Sequence, residues 1–98
     1  MADTHMDIKD GMARVEKALS DGVPQIYFNG FINMLGTADI GVLCERNGKP
    51  VAVLNMSYTV AKTLAVALGQ TIGDLEQKTG KEMLTTMEVE QKLRAPSS

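Results

Sequence analysis

Enzyme chemistry needs nucleophiles, bases or metal ligands at workable spacing, and this chain offers few of them. His5 is the single histidine and Cys44 the single cysteine. His5 falls in the polar opening MADTHMDIKD, whose first six residues are expected to form a disordered tail, so nothing there would fix its tautomer or its distance to a substrate. Cys44 alternates with Ile40 and Val42 along an apolar strand and has no histidine near it in sequence to generate a thiolate. That makes it a small buried hydrophobe before it is a nucleophile. One His and one Cys cannot complete a zinc site, and the carboxylates lack the spacing of a calcium loop. Gly36, Gly41 and Gly48 are the only glycine-rich spacing, but they lie in a hairpin and lead to no helix N-terminus, so they form no phosphate cradle. No catalytic, cofactor-binding or metal-binding residue is assigned, no cofactor is expected, and an enzyme is not the expectation.

Asp39 and Lys62 are the polar residues whose setting raises a question. A carboxylate in an apolar strand must find a donor if it is buried, and Lys62, on the flank of the helix that follows, could supply one. Three settings stay open: a structural pair, exposure on the strand's solvent side, or acidic and basic anchors of a binding groove.

The element that positions most of the chain is SYTVAKTLAVALGQTIGDLEQKTG, residues 57–80. Val60, Ala61, Leu64, Ala65, Leu68, Ile72 and Leu75 recur three and four apart, which places them on one stripe of a helix, with Thr63, Gln70, Asp74 and Gln77 opposite. Ser57 is suited to the N-cap and Gly80 to the left-handed residue that ends a helix. Leu68→Asp on the stripe is expected to place an unpaired charge among buried side chains and abolish folding. Gly69 and Gly73 sit four apart on a flank of the stripe, each costing about 1 kcal/mol relative to Ala. Either they allow a close helix crossing at a subunit interface or they are tolerated glycines.

Before that helix the period is two. Residues 25–35 (QIYFNGFINML) predict a strand, with Ile26, Phe28, Ile32 and Met34 on one face and Tyr27, Asn29, Phe31, Asn33 and Leu35 on the other. Gly30 within it marks a bulge or a close backbone approach. A turn at Gly36-Thr37 leads to a second strand, ADIGVLCER. Asn47-Gly48 then specifies a type I′ hairpin turn into a third strand from about Lys49 to Met56. Residues 7–20 predict a short helix through Ile8, Met12, Val15 and Leu19, capped by Asp7 or Asp10 and stopped at Asp21-Gly22. It either packs on its own domain or docks on a partner. Beyond Gly80, KEMLTTMEVEQKLR predicts a short C-terminal helix with a Thr85/Glu88 capping box and Leu84, Met87 and Leu93 on a shared face, followed by a frayed tail at 95–98.

The fold class expected is therefore α+β: a short N-terminal helix, a three-stranded antiparallel β-meander, one long amphipathic helix and a short C-terminal helix in a single domain, with residues 25–80 as its β-β-β-α core. The strands are apolar on both faces, whereas one long helix can cover only one of them. Self-association, as a homodimer or higher oligomer, would cover the other. The expected interface residues are Gly69, Gly73, Leu68, Ile72, Phe31 and Leu43.

Composition narrows the partners. The net charge is −2, with ten Lys and Arg scattered along the chain, so phosphate-backbone binding is disfavoured; it would require Arg14, Lys17, Arg46 and Lys49 to converge on one face. There is no Trp, and seven Met residues are either core filler or an adaptable contact surface. A single Cys excludes an intrachain disulfide and fits a reducing, cytoplasmic setting. The acidic start does not read as a signal peptide, and no apolar run reaches membrane-spanning length.

Residues 25 to 80 resemble a bacterial and archaeal family of small proteins catalogued as a domain of unknown function (number 3467). The shared features are Asp39, an apolar strand ending at Met56-Ser57, then Ala61-Lys62, Leu64, Leu68, Ile72, Leu75-Glu76 and Gly80. The family usually has Pro where this chain has Tyr58. The resemblance implies a fold and no activity. In outline the meander and helix are also similar to SecB-like export chaperones, which hold unfolded chains on apolar grooves. The function expected is a non-enzymatic protein-interaction module, adaptor or chaperone-like. The alternatives are a structural subunit of a larger assembly and a nucleic-acid-binding dimer.

Overall fold

A computed structural model describes residues 8–94, with only the backbone of Ile8. The tails expected at 1–6 and 95–98, with His5 and the Asp7 cap, lie outside the described residues. Three helices and three strands follow in the order α1 (Ile8–Ser20), β1 (Gly30–Leu35), β2 (Asp39–Arg46), β3 (Lys49–Ser57), α2 (Tyr58–Thr79) and α3 (Thr86–Arg94). The strands form one antiparallel sheet in the order β1-β2-β3, so the α+β meander read from the sequence is the observed architecture. The chain divides into two compact units, and the sheet contributes residues to both.

Of the described residues, the first unit comprises 8–32 and 43–53. Its helix α1 stops where Gly22 turns left-handed, at φ 75°. The Val23 N–H then reaches back to the Ala18 carbonyl at 3.1 Å and the Gly22 N–H to that of Leu19 at 3.3 Å. These are the two reversed bonds of a Schellman stop, and they satisfy carbonyls that the helix itself leaves free. At the hairpin, Asn47 and Gly48 both have positive φ, 53° and 81°, as a type I′ turn requires. Asn29 clamps the turn. Its Oδ1 accepts the Asn47 backbone N–H at 2.9 Å, and its Nδ2 donates to Asn47 Oδ1, also at 2.9 Å.

Strand β1 corrects the sequence expectation, because it begins at Gly30 and not at Gln25. The Asn29 N–H takes the Glu45 carbonyl at 2.9 Å, one residue short of the end of β2 at Arg46. Beyond that point the partner strand has turned away, so residues 25–28 have strand-forming side chains and no ladder to join. Gly30 is not a close-approach residue either, since a Cβ there would meet no atom within 4 Å.

Of the described residues, the second unit comprises 33–42 and 54–94. The β1–β2 connection closes through a 2.8 Å bond from the Gly36 N–H to the Asp39 carbonyl. A Cβ on Gly36 would lie 2.9 Å from that same oxygen, which leaves room only for glycine. Gly41 is buried for a related reason, since Met34 Cε and Asn55 Oδ1 would stand 2.9 and 3.5 Å from a Cβ there.

Helix α2 starts and ends where its caps require. Ser57 Oγ accepts the Val60 N–H at 3.2 Å, and Gly80, at φ 69°, donates its N–H to the Glu76 carbonyl. The expected C-terminal helix begins only at Thr86, and 81–85 is a connection. Glu76 holds that connection, its Oε2 accepting the Met83 N–H at 2.7 Å. The capping box then opens α3: Thr85 Oγ1 accepts the Glu88 N–H at 3.2 Å while Glu88 Oε1 accepts the Thr85 N–H at 2.9 Å. No helix among the described residues is long and apolar enough to cross a membrane.

Candidate functional site

The residues singled out for chemistry do not come together. Cys44 is 1% exposed in the middle of the sheet. Asp39 is exposed at the head of β2, and Lys62 lies exposed in α2. The structural pair considered for them is absent, for the described ion pairs are Lys17 with Asp21 and Glu90 with Arg94. Among the described residues no three His, Cys, Asp or Glu side chains approach closely enough to share a metal ion.

One concave feature runs along the second unit, a trough of about 570 Å³ whose lining includes Tyr58, Lys62, Thr63, Val66 and Gln70. Every lining residue comes from α2. A depression walled by one helix cannot surround a small molecule, and Asp39 does not line it.

What the structure presents in place of a pocket is apolar surface. Helix α2 has no buried residue, and its stripe remains open, with Leu68 56% and Ile72 45% exposed. Gly69 and Gly73 face empty space, since a Cβ on either would meet nothing within 4 Å. Along β1, successive side chains point to opposite faces. Phe31 at 61% and Ile32 at 52% are both open, so neither face of that strand is fully covered by the described residues. Leu43 is half-buried, the least available of the interface residues expected from the sequence. The expectation that Leu68 lies among buried side chains is thereby corrected. Leu68 is not a core residue of the single chain, and an aspartate there would stand in water.

Electrostatics add one local feature. The Glu88 carboxyl is held below its ordinary value of 4.5, chiefly by the backbone N–H of Thr85, then by the Thr85 hydroxyl, with Lys92 contributing least. The cause lies in the capping box and bears on α3, not on a reaction. Sequence reasoning missed the segment 24–28 as an uncovered surface, although it carries a legible signal: no charged residue occurs from Gly22 to Ala38. No family model, curated protein or solved structure matches the chain.

Proposed function

We propose that this protein is a non-enzymatic protein-interaction module, adaptor or chaperone-like, acting as a homo-oligomer in the cytoplasm. The observation that carries the reading is that, among the described residues, Cys44 is the one buried apolar side chain while large apolar residues of α1, β1, β3, α2 and α3 stay exposed. Apolar surface left in water costs about 25 cal/mol per Å². Contiguous patches beyond a few hundred Å² mark interaction sites on soluble proteins. A second copy offers surface of the same character, and two-fold pairing is the commonest way to use it.

The same surface suits a protein partner better than a substrate, because it supplies adaptable contact without a cavity. Met12, Met34, Met83 and Met87 are all exposed, and methionine adjusts to varied partners. The resemblance to the family numbered 3467 contributes a fold to this reading, and that to SecB-like chaperones an architectural analogy. The test is the mass in solution over a concentration series, by sedimentation or light scattering. A dimer or closed oligomer at micromolar concentration is expected, with residual apolar surface able to slow aggregation of an unfolded client. A strict monomer at the highest concentration would remove the reading, and a mass that climbs without limit would favour the structural-subunit alternative.

A further inference from the structure

Residues 24–28, in the first unit, belong to no helix or strand, and the backbone of Pro24, Gln25, Ile26, Tyr27 and Phe28 makes no hydrogen bond to any of the described residues. Ile26, Tyr27 and Phe28 are 48, 70 and 41% exposed. The segment thus lacks two things together, cover for its side chains and partners for its N–H and C=O groups. A β-strand supplies both. Nothing in the side chains argues against pairing, because Ile, Tyr and Phe are among the strongest strand formers. The ladder stops at Asn29 only because β2 ends at Arg46.

We propose that residues 25–28 form a strand completed in trans, pairing antiparallel with the same residues of a second copy about a two-fold axis. This rests on the homo-oligomer reading and names one of its interfaces. Two arguments select a second copy over a foreign strand. Antiparallel pairing about a two-fold lays the segment on itself in reverse, and like charges placed directly opposite destabilise a ladder. The run from Gly22 to Ala38 contains no charge at all, so the self-pair is free of that penalty while a charged peptide would find no counter-charge.

The second argument is area. Val23, Ile26, Tyr27, Phe28, Phe31 and Ile32 are between 41 and 70% exposed. At side-chain areas of the order of 150–250 Å² they offer roughly 600 Å² per chain, against about 800 Å² per partner in a standard interface. The segment, together with Val23 and the start of β1, thus offers a large part of one dimer interface.

Hydrogen exchange of the full-length protein across a concentration series tests the proposal, read beside the solution mass. Amides of residues 25–28 are expected to exchange at least about tenfold more slowly in the oligomer than in the diluted monomer. Tyr27→Pro, which removes a ladder donor, is expected to weaken association at least tenfold with helix content unchanged. An oligomer whose 25–28 amides exchange as fast as a free peptide overturns the trans strand and leaves self-association standing by another surface. Protection that persists in the monomer also overturns it, since the segment would then pair within its own chain. A strict monomer removes both readings. The exchange measurement on the parent protein decides the matter even if Tyr27→Pro fails to fold.

Discussion

Glu88 shows how a single side chain reports on the helix it opens. Its carboxylate accepts the Thr85 N–H at 2.9 Å, which favours the ionised form and lowers its pKa below 4.5. A group whose pKa falls on folding adds stability that is fully present above its unfolded value and is lost as pH drops through the folded one. The α3 cap should therefore hold at neutral pH and loosen only as pH falls below the ordinary carboxylate range. A carboxyl titration followed by NMR checks this, and a Glu88 midpoint at or above 4.5 would contradict the box. Gly36 makes a steric test. With the Asp39 carbonyl 2.9 Å from an added Cβ, Gly36→Ala should cost about 1–3 kcal/mol, whereas Gly30→Ala, facing open space, should cost little. Chemical denaturation of the pair measures the contrast.

At the level of the elements, the meander and the ends set by local caps were legible, and how far β1 pairs was not. Ser57, Gly80, Gly22, the Thr85/Glu88 box and Asn47-Gly48 each work through neighbours within a few residues, so their types alone announce the stop or turn. Ser57→Ala should cost about 1 kcal/mol through the lost bond to the Val60 N–H, read as a lower melting midpoint. The start of β1 was different, because Gln25–Phe28 have the side chains of a strand but depend on where β2 ends. Gly73 separates two effects within one helix. Since its Cβ would meet nothing in the chain, Gly73→Ala should stabilise the isolated helix by about 1 kcal/mol. If α2 also crosses a second copy there, the same substitution should weaken association, and helix content and solution mass measured together would move in opposite senses.

For the molecule as a whole, the decisive property is how little of its apolar surface finds cover within one chain. Leu68→Asp distinguishes a core from an interface. With Leu68 56% exposed, the variant should keep its helix signal and lose association by about tenfold or more, equivalent to ~1.4 kcal/mol. A variant that unfolds outright would mean that folding and assembly are inseparable, as in obligate dimers. A variant that still associates like the parent would move the interface away from α2.

By itself the sequence determined the order of the elements, their caps, the hairpin turn and the two-sided apolar character of the strands, because each of these is written in residues a few positions apart. Tertiary structure alone decided that β1 starts five residues late, that Asp39 and Lys62 stay apart, and that the α2 stripe remains open. Those outcomes depend on which distant segments meet, and a ladder or a burial exists only where a partner segment reaches.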